Sequence, residues 1–212
     1  MTTLKPVDPG AAADLATFAH RVANFEPEAV IRMVSSGSVA GCFAETPFDA
    51  LALRAVALAE PVELDVVVEA ATLAARVAGA SNELDLPPAL PALRWATSLP
   101  PRSGWSELAR LDVDEVVARV EQGVEEFKQR APVVAEGASL RAGRAALEGL
   151  ATEIWDRELE AGVPLRLAHA ASSYGFLSGS GAVVLRSVGA WWRLDAPNGA
   201  VLARSGLSLF AL

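Results

Sequence analysis

The chain has 212 residues, 52% of them hydrophobic and 21% charged, a length and apolar content that suffice for a buried core and exclude disorder or low complexity as a description of the whole. One cysteine, Cys42, and two histidines, His20 and His169, exclude a Cys/His structural zinc site within one chain, while an all-carboxylate Mg or Mn site stays formally open; no metal or cofactor is expected. The net charge of -8 repels phosphate backbones, and with lysine only at Lys5 and Lys128 and the arginines dispersed, nucleic acid is not expected as a partner.

No apolar run approaches the roughly 20 residues that span a bilayer. The start, Met1 to Pro9, lacks the apolar stretch of a signal peptide, and with the lone Cys42 this leads to the expectation of a soluble, cytoplasmic protein with no membrane partner.

Asp8-Pro9 reads as a helix start, with proline at the first helical position, and Leu15, Phe18, Val22 and Phe25 recur at helical spacing, predicting a helix to about Asn24. After Pro27 three short strands are predicted as a meander: Ala29 to Val34, Val39 to Ala44 and Phe48 to Leu58, separated by a turn at Ser35-Ser36-Gly37-Ser38 and a break at Thr46-Pro47. Val66-Val67-Val68 is β-branched, yet Val66, Val67, Ala70, Leu73, Ala74 and Val77 fit an amphipathic helix ending near Gly79; helix is the reading adopted, with its first turn open.

Residues 81–104 hold five of the 13 prolines, Pro87, Pro88, Pro91, Pro100 and Pro101, which prevent a long helix or central strand. Leu84, Leu86, Leu90, Leu93, Trp95 and Leu99 are too apolar for a solvated linker, so an ordered, packed connection is expected between two mixed halves, 1–80 and 105–212, of a single domain.

Asp112 is placed to cap a helix with the inward stripe Val113, Val116, Val117, Val120, Val124 and Phe127 and an exposed Glu115 to Arg119 pair. A second helix is predicted from Ser139 to about Leu159 with Leu140, Leu147, Leu150, Ala151 and Ile154 inward, and a third from Pro164 carrying Leu167, Ala171 and Tyr174. Strands follow at Ala182 to Val188, Ala190 to Asp195 and Ala200 to Arg204, with Ala196-Pro197-Asn198-Gly199 as a hairpin turn. The expected fold is α+β: an antiparallel sheet, built from the N-terminal meander and the C-terminal hairpin strands, covered by about five helices.

Among chemistry-bearing residues, Trp191 and Trp192 are consecutive in a strand and must face opposite sides, so one indole needs a second layer, a partner surface or a ligand. His169 precedes Ser172 and Ser173 by helical spacing, which is half of a nucleophile-base pair, but Gly179-Ser180-Gly181 does not complete a nucleophile elbow and a structural histidine is the reading adopted. The loop from Gly175 to Gly181 lacks the ending of a phosphate loop. Asp112, Asp114, Glu115, Glu121, Glu125 and Glu126 read as a helix start and a solvated face, and Cys42 as a small buried hydrophobe. Trp95 and Trp105 flank the proline-rich connection and, with Trp155, admit an aromatic-walled groove.

Gly104-Trp105, Tyr174-Gly175-Phe176-Leu177 and Gly189-Ala190-Trp191-Trp192-Arg193-Leu194, followed by Gly199 and Val201-Leu202-Ala203-Arg204, resemble a group of uncharacterised actinobacterial proteins of similar length. That resemblance implies no activity and transfers no functional residue. The expected function is therefore non-catalytic: contact with a second copy or another protein through Trp191, Trp192, Arg193, Trp95 and Trp105. The alternative is a small molecule or hydrolase-like chemistry in a pocket near His169, Ser172, Tyr174 and the proline-rich connection.

Overall fold

A computed structural model describes residues 2–78, 83–135 and 139–205. The fold is α+β, with antiparallel strand pairing and, among the described residues, five α-helices. The chain divides into two compact units, Met1–Pro101 and Arg102–Leu212.

In the first unit, β1 (Thr3–Leu4) precedes α1 (Pro9–Phe25). Asp8 caps the helix by accepting the Ala11 N–H at 2.8 Å, and Leu15, Phe18 and Val22 are buried, as the spacing predicts, with Ala19 between them; Phe25, the last residue of that spacing and of the helix, is 44% exposed. Two long strands, β2 (Val30–Glu45) and β3 (Leu51–Glu69), replace the three short ones expected. Ser35 to Ser38 forms no reversing turn: the register shifts between Gly37 and Val39, and the Ser35 hydroxyl donates to the carbonyls of Gly37 and Val39 at 3.0 Å, fixing a bulge within a continuous strand. On β3 the bulge is filled from the N-terminal side, where Val7 N–H donates to Ala57 O and Ala59 N–H to Lys5 O.

Val66 to Val68 belong to β3, paired with Met33, Arg32 and Ile31, and α2 (Ala70–Ala78) begins only after Glu69. Strand pairing overrides a helical period that the same residues also fit. The predicted helix end at Gly79 and the first two residues of the 81–104 connection lie outside the described residues. The connection packs as expected at Leu84, Leu86 and Trp95, all buried; β4 (Leu84–Asp85) pairs with β1, and Leu90 N–H donates to Val67 O at 2.8 Å. Leu93 departs from the expectation: it sits in a 3-10 turn at Ala92–Arg94 and is 96% exposed.

The second unit opens with β5 (Ser106–Asp112), which the sequence does not announce, followed by α3 (Val113–Ala135) and α4 (Leu140–Trp155). Asp112 accepts the Asp114 N–H at 2.8 Å, and Val113, Val116 and Val120 are buried. The predicted second helix stops at Trp155 because residues 158–160 form β6 (Glu158–Glu160), paired with β7 (Val163–Pro164). Leu140, expected inward, is 97% exposed: it is the first residue of α4, ahead of the packed positions Gly143, Leu150 and Ile154. Arg130 and Arg157 bind Glu126 and Glu153, tying α3 to α4.

Pro164 precedes α5 (Leu165–Ser173), and β8 (Ala182–Val188), β9 (Trp191–Ala196) and β10 (Gly199–Arg204) follow as predicted. Gly199 pairs with Ala196 around a two-residue Pro197-Asn198 turn. A Cβ at Gly199 would stand 2.7 Å from the Phe176 ring, so only glycine lets the turn close on that phenyl group. Val183, Leu185, Leu194 and Val201 form the floor of the core, against which α5 brings Leu167, Ala168 and Ala171.

Candidate functional site

The alternation along β9 sets Trp191, Arg193 and Asp195 on one face and Trp192 on the other. Trp191 is buried, lies opposite Val188 and Arg204, and receives the Arg204 guanidinium over its ring at 5.1 Å from the centroid. Trp192, opposite Ser187 and Ala203, is half-buried. Arg193 lies over Trp105 at 5.7 Å, bringing those two predicted residues together at the start of β5. Each cation is held over the electron-rich ring face, an attraction of order 0.5–2 kcal/mol.

Asp195 fixes the arginines. Its two carboxylate oxygens accept from Arg193 Nε at 2.7 Å and Arg186 Nε at 3.0 Å, and Arg186 reaches Glu107 of β5 at 3.6 Å. Sequence reasoning missed Arg186, Asp195, Arg204 and Glu107, because their pairing depends on strand register. The one local signal is the Arg193-x-Asp195 alternation, which places both on one face.

The face thus offers aromatic rings, pinned guanidinium groups and an open margin. Among the described strands β5 pairs with β8 alone. Its residues are mostly exposed, and Leu108, the bulge residue of that pairing, is 39% exposed. Glu107, Arg110 and Asp112 alternate in sign along it, and Arg110 meets Glu107 at 3.2 Å.

His169 stacks flat on Trp155, with ring centroids 3.8 Å apart and planes 8° from parallel. Burial pushes its imidazole down from the ordinary 6.5 to about 4, so it is neutral at pH 7 and a weak base there. The Ser173 hydroxyl donates to the His169 backbone carbonyl at 2.9 Å. Ser172 is exposed, and Tyr174 is buried beside Phe176 with ring centroids 6.0 Å apart. Trp95 belongs to the first unit, buried, with its indole N–H donating to Thr97 O at 2.5 Å.

The proline-rich segment forms one wall of an open groove of about 890 Å³. Pro87, Pro88, Leu90, Pro91 and Leu93 supply its apolar lining, and Glu28, Glu69, Thr72 and Arg94 its polar lining. The aromatic-walled groove expected from Trp95, Trp105 and Trp155 is not this one: none of the three lines it, nor do His169, Ser172 or Tyr174. Cys42 is fully buried, which pushes its thiol up to about 12. Among the described residues, no group of three or more His, Cys, Asp or Glu is placed to hold a metal ion, and no helix is long and apolar enough to cross a membrane.

An α+β chain of this topology is similar in fold to bacterial DNA polymerase sliding clamps. The DNA polymerase III beta subunit of Thermotoga maritima superposes with a TM-score of 0.54 at 13% identity, over 96% of this chain and 64% of that one. Caulobacter crescentus pol III beta gives 0.56 at 14%, over 96% and 65%, and the Pseudomonas aeruginosa subunit 0.53 at 12%, over 98% and 65%. The chain therefore spans under two thirds of the length of these proteins, and at such identities the likeness is one of fold. The chain belongs to a family described as a domain of unknown function (DUF8185), whose model matches residues 100–208; a second domain of unknown function (DUF8010) matches residues 1–97. No curated protein matches it.

Proposed function

We propose that this protein is a non-catalytic, clamp-like binding scaffold that acts through protein contact, first with a second copy of itself. The observation that carries this reading is the β5 margin. A strand with one unpaired side presents N–H and C=O groups for pairing with another chain.

The sequence of β5 is complementary to itself. If two copies meet antiparallel with Glu107 of each opposite Arg110 of the other, the two charges meet, because the bulge at Leu108 puts both side chains on the same face of β5. Opposite charges facing each other across strands stabilise such a pair, and a two-fold axis makes the contact twice. Trp105, backed by Arg193, lies at the end of the same strand, where an aromatic anchor is favoured at an interface. The likeness to proteins named as polymerase subunits supports a role in assembly, and the net charge of -8 weighs against nucleic acid as the partner.

The test is a charge exchange read by sedimentation. Arg110→Glu sets carboxylate against carboxylate and shifts the protein to monomer; adding Glu107→Arg restores the opposite pairing and the dimer. A wild type that is monomeric at every concentration, or a double variant no more associated than the single one, overturns the proposal.

A further inference from the structure

We infer that the groove beside the proline-rich segment docks an extended stretch of a partner protein that carries a large apolar anchor next to a lysine or arginine. The groove lies wholly in the first unit, so this contact is separate from self-association through β5, and either can fail without the other.

Leu93 gives the groove an exposed apolar rim. Leu93, 96% exposed, stands in water beside the exposed Pro88 and Pro91 of the groove lining, the kind of apolar surface that marks a contact site. The wall is already formed: proline fixes φ, Leu90 N–H is tied to Val67 O, and Arg94 N–H closes on Pro91 O at 2.9 Å. An occupant therefore meets a surface whose ordering cost is already met by the fold. Pro87, Pro88 and Pro91 have no N–H to offer, and the Leu90 N–H is already bound to Val67 O, so an occupant is recognised through side chains in the groove.

Glu28 and Glu69 give the groove its negative charge. Both are exposed and both line the groove, and among the described residues neither has an ion-pair partner. Glu69 accepts from the Thr72 hydroxyl, which orients its carboxylate without neutralising it. The one cation of the lining, Arg94, turns its guanidinium onto the backbone carbonyl of Glu28 at 3.1 Å. Two carboxylates against one guanidinium favour a basic occupant and disfavour an acidic one.

The experiment uses the full chain and two dye-labelled dodecapeptides, read by fluorescence anisotropy. Both carry a central Leu-Phe pair; one flanks it with lysine, the other with glutamate. The lysine peptide is expected to bind about tenfold or more tightly than the glutamate peptide, with the difference shrinking as salt rises. Leu93→Ser, at a side chain outside the core, weakens the lysine peptide about tenfold, and Glu28→Lys with Glu69→Lys reverses the charge preference. Circular dichroism and the thermal midpoint confirm that the variants fold. Equal binding of the two peptides, binding of neither, or an unchanged affinity in Leu93→Ser overturns the inference.

Discussion

Two glycine-to-alanine substitutions in the paired helices α3 and α4 should have opposite effects on stability. Gly123 faces α4, and a Cβ there would lie 2.7 Å from Cζ3 and 3.0 Å from Cη2 of Trp155, and 3.3 Å from Cγ2 of Ile154. The indole must retreat by about 0.7 Å to regain ordinary contact, yet it is stacked on His169 at 3.8 Å. Overpacking of this kind costs about 1–3 kcal/mol. Alanine in place of glycine within a helix returns about 1 kcal/mol, so Gly123→Ala loses up to about 2 kcal/mol net. Gly149, on the exposed side of α4, has nothing within 4 Å of the added carbon. There the helix preference stands alone, and Gly149→Ala gains about 0.4–1 kcal/mol. Urea unfolding followed by circular dichroism reads both midpoints. If Gly123→Ala moves the midpoint up as far as Gly149→Ala does, the close approach of α3 to Trp155 is not what holds these helices together.

Two further predictions concern titrating groups. With its folded value near 4 against an ordinary 6.5, His169 is protonated in the unfolded chain before it is in the folded one. Its contribution to stability is therefore intact above 6.5 and declines as pH falls towards 4. His169→Phe keeps a ring on Trp155 and should flatten the thermal midpoint between pH 7 and 5; an unchanged slope refutes this. Cys42, buried with its thiol raised to about 12, should resist a thiol reagent at pH 8 in the native protein and react fully in urea, and native labelling at the denatured rate would contradict its burial.

Local signals carried much of the fold. Asp8-Pro9 with Leu15, Phe18 and Val22 specified α1, Pro197-Asn198-Gly199 specified the last hairpin, and Asp112 specified the start of α3, because each depends on neighbours within a few residues. Where two periods compete, local reading fails. Val66 to Val68 suit a helix or a strand, and their pairing with Ile31 to Met33, more than thirty residues away, decides the matter. Ser35 to Ser38 have turn chemistry, which the fold uses to shape a bulge. Strand β5 escaped notice because Glu107, Arg110 and Asp112 interrupt any apolar alternation and most of its residues are exposed, as befits a margin.

The candidate site shows the same division. That Trp191 and Trp192 face opposite ways follows from strand geometry. That Arg204 covers Trp191, that Arg193 covers Trp105, and that Asp195 holds two arginines follows from register across β5, β8, β9 and β10, which no single segment encodes. The sequence points to an aromatic-walled groove at Trp95, Trp105 and Trp155, whereas the groove observed is lined by prolines and leucines of one segment together with Glu28 and Glu69, which come from distant positions on the chain.

Sedimentation equilibrium of the wild type beside Arg110→Glu and the Glu107→Arg, Arg110→Glu double variant tests the central claim most directly. The wild type should be a concentration-dependent dimer, the single exchange a monomer and the double variant a dimer again. A monomer throughout, or a dimer indifferent to both exchanges, would contradict it.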